Sequence, residues 1–370
     1  MNSISDRPYS SLNEEQLQRI RSYALFAENA GQLTPEQLLL IYHNNWFNLF
    51  VPASLGGLEM NLPDAVRVLE RLAWADGSFG WTVTLCSGAN WFAGFLNPEI
   101  VREVFSNTQV CLAGSGAATG KAIVTDNGYT VSGSWKYATG APHATHFTAN
   151  CIIEKDGEPV TDKAGNFRIS SFIFNKDEVN IIRDWNCIGM KATASHSFTV
   201  NNLHVAENRS FTIDAAHASL SQPVFHFPFV QFAELTLAAN YSGMTTHFVD
   251  LCLVLFHERV KRKGHSAGQA CEVFECLGRS KTKFDAERNQ LFETMDAVWV
   301  KGLEAGEWTK EDLQSVSDVC QSLVKTARNT VNTLYPFCGM IAADPSSEIS
   351  RVWRDFNTAG QHSLFTFVCG

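Results

Sequence analysis

The sequence predicts an α+β protein built in three consecutive parts. Three observations carry this. Apolar residues recur at helical spacing up to about residue 107. Short β-rich runs separated by Gly, Asn and Asp fill 108–214. Long helical periodicity then returns over 222–370. The expected architecture is an N-terminal helical domain (1–107), a central antiparallel β-barrel or sandwich (108–214) and a C-terminal helical bundle (222–370).

Each element has a local reason. Ser11 with Glu14 fits a capping box ahead of Leu17, Ile20 and Tyr23. Thr34, followed by Pro35 and Gln37, starts a second helix. Pro63 opens a third, with Ala65, Val66, Val68, Leu69, Leu72 and Ala73 as its apolar face. Asn97-Pro98 starts a fourth, through Ile100, Val101, Val104 and Phe105. The β-rich runs are Val110–Ala113, Ala122–Thr125, Tyr129–Trp135, Phe147–Ile153, Ile169–Phe174 and His196–Val200, and Asn127-Gly128 is a hairpin signal. The glycine-rich run Gly114–Gly120 invites a dinucleotide-loop reading, but a strand follows it, not a helix. After Pro223 and Pro228 the segments Phe232–His257, Ala267–Val300 and Thr309–Leu334 read as a bundle long enough for subunit packing.

Composition narrows the function. A net charge of −9 argues against a nucleic-acid or anionic-membrane partner. There is no 18-residue apolar run for a membrane span, and the polar first residues do not read as a signal peptide. The ten cysteines show no metal-ligand spacing and read as reduced core thiols of a cytoplasmic protein, with no metal expected.

The stretch Asn127–Ser195 carries the chemistry. Trp135, Tyr137, Thr139 and Gly140 near its start, and Trp185, Thr193 and Ser195 at its end, offer aromatic walls and hydroxyls that suit a planar, polar-edged ligand. The plain alternative is two ordinary sheet edges. Near the C-terminus, Arg351, Asp355, Thr358 and His362 fall on one helical stripe. Arg351 and Asp355 are spaced for a local ion pair. His362 suits an acid, base or hydrogen-bond donor, or a structural role.

These residues resemble the acyl-CoA dehydrogenase superfamily. Val51–Gly57 with Glu70–Trp81, the central stretch, and Leu334–His362 carry the resemblance, in the family's order across almost the whole chain. It implies a C-terminal four-helix bundle, a homotetramer, and flavin, as FAD or FMN, between the β domain and the bundle. Within the superfamily the chain is most similar to the group D monooxygenases, the oxygenase halves of two-component aromatic hydroxylases. Their aromatic-x-Ser-Gly motif matches Tyr137-Ala138-Thr139-Gly140, with Thr139 placing its hydroxyl near flavin N5. Their C-terminal histidine matches His362. Trp81, Asn90 and Trp91 are candidates for the substrate pocket, with Asn90 nearest the place of a second family histidine and the tryptophans equally suited to core. The resemblance implies a separate reductase that delivers reduced flavin. The alternatives are an acyl-CoA dehydrogenase, for which Glu234 stands near a base position, and a non-catalytic flavin-binding protein.

Overall fold

A computed structural model describes residues 12–261 and 267–366. Ser11, expected to cap the first helix, lies outside them. That helix, α1 (Glu14–Ala30), is capped by Asn13 in a box with Gln16. α2 (Pro35–His43) starts at Thr34 with Gln37 reciprocating, as expected. α3 (Leu62–Ala75) is capped by Asn61. α4 (Gly77–Asn90) was not expected: almost every residue on it is buried, so it has no polar face to reveal a period. Asp76 caps it through Phe79 N at 2.9 Å. α5 (Pro98–Val104) follows.

The strands are β1 (Leu112–Thr125), β2 (Gly128–Ala138), β3 (His146–Lys155), β4 (Glu158–Pro159), β5 (Ile169–Asn175), β6 (Asn180–Ile182), β7 (His196–Ala206) and β8 (Ser210–Phe211). They form one open sheet in the order β6-β7-β2-β1-β3-β5-β8, with β4 paired to β3. This corrects the expected closed barrel or sandwich. Nor is the sheet wholly antiparallel, because β1 and β3 run parallel. The glycine-rich run is the middle of β1, with a register shift against β3 between Ser115 and Gly120. Its glycines have a packing reason: a Cβ on Gly120 would sit 2.1 Å from the Trp135 ring. The Asn127-Gly128 hairpin forms as expected, with Thr125 opposite Gly128.

The C-terminal part comprises α6 (Pro223–His226), α7 (Phe229–Lys261), α8 (Ala267–Ala305), α9 (Lys310–Cys338) and α10 (Glu348–Ala359). Among the described helices none is long and apolar enough to cross a membrane. Helices from both ends of the chain share one apolar core, in which Leu69 and Leu72 of α3 join Leu235 and Phe248 of α7. Gly243 lets the two helices touch, since its Cβ would lie 2.2 Å from the Glu70 carbonyl. Glu70 accepts from Ser242 at 2.6 Å and from Arg288 of α8 at 2.6 and 2.5 Å, so this buried carboxylate is satisfied on all sides. The sheet has its own core of Trp135, Phe147, Phe172, Phe174 and Phe198.

Candidate functional site

β2 ends at Ala138 opposite His196 of β7, which brings the turn after β2 against the loop before β7. Gly140 N donates to Thr193 O at 2.9 Å and stitches the two together. Behind this stitch runs a chain of hydroxyls. Thr139 Oγ1 is 2.8 Å from Ser195 Oγ, which is 2.7 Å from Thr193 Oγ1, and Thr193 donates to Met190 O at 2.8 Å. All three hydroxyl residues are buried. Each hydroxyl has a single proton, so the last bond fixes the others. Thr193 gives its proton to Met190, Ser195 to Thr193, and Thr139 to Ser195. Thr139 therefore meets a ligand with lone pairs, as an acceptor.

The aromatic wall differs from the expected one. Trp135 has 0% exposure, stacks on Phe198 at 5.2 Å and donates to Asn150 O at 3.0 Å. It belongs to the sheet core and offers no surface to a ligand. Tyr137 and Trp185 do: Tyr137 is 67% exposed and meets Trp185 edge-on at 6.1 Å. Tyr137 takes φ +68°, a left-handed conformation unusual for a bulky residue, and this turns its ring outward. Trp185 Nε1 donates to Met190 O at 2.8 Å.

The loop containing Trp185–Ser195 is fastened to α10. Met190 N donates to Asp355 Oδ1 at 2.5 Å and Gly189 N to Thr358 Oγ1 at 3.1 Å. A Cβ on Gly189 would lie 2.1 Å from Arg354 O, so the loop lies flush on the helix. Ser78 of α4 donates to Asp355 Oδ2 at 3.2 Å. Burial, then the nearby Asp76 carboxylate, pushes the Asp355 carboxyl up to about 7. The expected Arg351–Asp355 ion pair is not among the contacts of the described residues. Arg351 instead approaches Asp76 at 3.7 Å and Glu348 at 3.8 Å. Helical spacing allowed the pair, but Asp355 turns toward the loop amides and Arg351 toward the cap of α4.

His362 was expected on the final helix, yet α10 stops at Ala359. His362 follows Gly360 in extended backbone and caps a short 3-10 turn over Ser363–Phe365, accepting at Nδ1 from Leu364 N at 3.3 Å. That bond leaves the ring proton on Nε2. Burial lowers the imidazole's pKa, favouring the neutral ring. The ring meets Trp81 of α4 at 5.9 Å. Asn90 and Trp91 are not placed for a pocket. Asn90 has 0% exposure and spends its amide on Asn48, Val110 O and Leu112 N, at 2.7, 3.2 and 2.9 Å. Trp91 stacks on Phe232 at 4.6 Å and donates to Val224 O at 3.1 Å. Glu234, on α7, accepts from Ser317 of α9 at 2.6 Å, so its carboxylate is engaged between two bundle helices. Two surface grooves, one lined by Asn97, Glu207 and Ser219 and one by Arg279, Lys283 and Asn329, hold none of the expected site residues.

Comparison with known proteins places the fold. The family described as "Acyl-CoA dehydrogenase, C-terminal domain" matches residues 235–367. An indole-3-acetate monooxygenase of Acinetobacter baumannii is 25% identical over 86% of this chain and 80% of its own length. The flavin-dependent monooxygenase oxygenase subunit HsaA of Mycobacterium tuberculosis is 24% identical, covering 98% of this chain and 94% of its own. The crystal structure of HsaA superposes with a TM-score of 0.86 at 23% identity, over 95% of this chain and 93% of that one. XiaF from Streptomyces, solved with FADH2 and glycerol, superposes with a TM-score of 0.83 at 22% identity, over 95% and 91%. The chain has the acyl-CoA dehydrogenase fold and is related to flavin-dependent monooxygenases.

These side chains converge where the sheet meets the helices. Loop, α4 and α10 meet there, and α4 serves both sides: Trp81 touches His362, while Cys86 Sγ lies 3.6 Å from Thr139 O. The two stand five positions apart, about 7.5 Å along the helix. Sequence reasoning missed α4, Ser78 and the loop contacts of Asp355. The Asp76-Gly77-Ser78 run, a capping residue before small residues, was the available signal.

Proposed function

We propose that this chain is the oxygenase component of a two-component flavin-dependent monooxygenase acting on a small aromatic substrate. The single observation that carries the site assignment is the ordered hydroxyl chain ending at Thr139 Oγ1. Reduced flavin carries a hydrogen on N5 and oxidised flavin carries none, so an acceptor at this point suits the reduced form. Tyr137 and Trp185 would flank the ring system, and Gly140, Thr193 and Ser195 would hold the turn that presents Thr139.

Bound reduced flavin supplies the two electrons that let O2 give one oxygen atom to substrate and one to water. The protein's own work is positioning and proton handling. Asp355 and Thr358 hold the loop amides, so the hydroxyl chain keeps its order. His362, neutral with its proton on Nε2, donates a hydrogen bond to the substrate beside the Trp81 ring. The related proteins are named for aromatic chemistry, including indole-3-acetate and p-hydroxyphenylacetate, which supports an aromatic substrate here. The relatives named as an oxygenase subunit and an oxygenase component support a separate reductase as partner. The nine free cysteines among the described residues suit a reducing compartment, and we place the reaction in the cytoplasm.

The test is product formed per reduced flavin consumed, with peroxide release followed in parallel. His362→Asn should lower product by roughly 10²-fold, the order of losing one hydrogen-bond donor aimed at charge that develops in the transition state, with flavin affinity nearly unchanged. Hydroxylation at the parent rate would make His362 a structural residue.

A further inference from the structure

Cys86, Cys111 and His143 are far apart in the sequence and meet in space. Cys86 lies on α4, Cys111 immediately precedes β1, and His143 sits in the turn between β2 and β3. One ligand atom from each lies within 4.8 Å of the other two. Both cysteines have 0% exposure. The His143 ring is held by a stack on Phe47, with centroids 5.7 Å apart and planes 9° apart. Its Nε2 is buried and has no hydrogen-bond partner among the described residues. Gly140 makes room for this convergence: a Cβ there would lie 2.9 Å from both Cys86 Sγ and His143 Nε2.

We propose that Cys86, Cys111 and His143 form a binding site for a thiophilic divalent cation of the zinc class. Two thiolates and one imidazole are a familiar donor set for such an ion, and contraction from this spacing to metal–sulfur and metal–nitrogen bonds of about 2.3 and 2.0 Å is small. The charges explain why a buried site tolerates it. Binding releases one proton from each thiol to solvent, and the two thiolates cancel the charge of the ion, leaving a neutral unit. The Thr139 carbonyl, 3.6 Å from Cys86 Sγ, is at hand as an oxygen donor for the fourth position. An ion here would join α4, the start of β1 and the turn that presents Thr139. It would be a clamp behind the flavin seam and take no part in the redox chemistry.

The experiment uses the full chain, reduced and treated with a chelator, then titrated with Co2+ as a spectroscopic probe and back-titrated with Zn2+. The expected result is a sulfur-to-cobalt charge-transfer band that saturates at about one Co2+ per chain and is lost on adding about one Zn2+. Cys111→Ser and His143→Gln should each weaken binding by roughly tenfold or more. Cys271→Ser, at an exposed thiol, should leave it unchanged. Far-UV circular dichroism establishes that each variant is folded, and His143→Gln carries the comparison if Cys111→Ser is not. No charge-transfer band in the reduced, folded parent overturns the proposal. So does a band undiminished in His143→Gln.

Discussion

At the scale of single residues, the direction of one hydrogen bond decides what Thr139 offers. Its proton is committed to Ser195 only because Ser195 is committed to Thr193 and Thr193 to the Met190 carbonyl. Ser195→Ala breaks the relay and frees the Thr139 proton, turning an acceptor into a donor. Affinity for reduced flavin should then fall by about tenfold, the order of one hydrogen bond, while affinity for oxidised flavin holds or rises. Thr139→Val should weaken reduced flavin similarly without improving the oxidised form. Titrating both redox forms under anaerobic conditions measures this. Equal loss of both forms in Ser195→Ala would mean that the relay does not set the preference. At Trp135 the expected effect is on stability alone. Trp135→Ala should cost about 3–5 kcal/mol, read by denaturant melts, because the indole fills the space cleared by Gly120 and Gly133.

At the scale of elements, α10 acts as the splint for the loop containing Trp185–Ser195 through Asp355. A carboxyl whose folded pKa is raised to about 7 binds its proton more tightly in the native state than in the unfolded chain. The stability this gives is complete at low pH, falls as pH rises from about 4, and is gone above about 7. Asp355→Asn keeps an acceptor for Met190 N and does not titrate. Between pH 5 and pH 8 the parent should lose about 2–3 kcal/mol more stability than the variant. Urea melts of both proteins across that range are the measurement, and parallel pH profiles would remove Asp355 as the titrating group. The elements also show where the sequence was readable. The caps at Thr34 and the Asn127-Gly128 hairpin follow short-range rules and stand where expected. α4 was hidden because burial on all sides erases periodicity. Asp355 was misassigned because spacing along a helix says nothing about a loop 165 residues away in sequence. Cys86, Cys111 and His143 could not be paired for the same reason. Thr139, Ser195 and His362 were picked out by residue type and resemblance, while the relay that joins the hydroxyls exists only in the fold.

At the scale of the whole molecule, the chain leaves apolar surface that its own core does not cover. Val254, Val300 and Leu303, on the long helices α7 and α8, are 57%, 51% and 46% exposed. We expect these helices to pack against other copies, most readily as a homotetramer, with a molar mass about four times 41.0 kDa by light scattering. Val254→Lys together with Leu303→Lys should shift the assembly to smaller species while leaving the helical circular dichroism intact. A monomeric parent at micromolar concentration would refute the assembly.

The shared helical core also sets the order in which the chain can be built. α3 packs on α4, but the burial of its apolar face is not complete until α7 exists, because Leu235 and Phe248 lie beyond the whole sheet. The sheet closes its own aromatic core from residues 112–211 alone. On the ribosome, then, the middle of this protein is complete before its beginning is. The first hundred residues must wait with part of their apolar surface uncovered, exposed to chaperones, until the carboxyl-terminal third emerges to receive them.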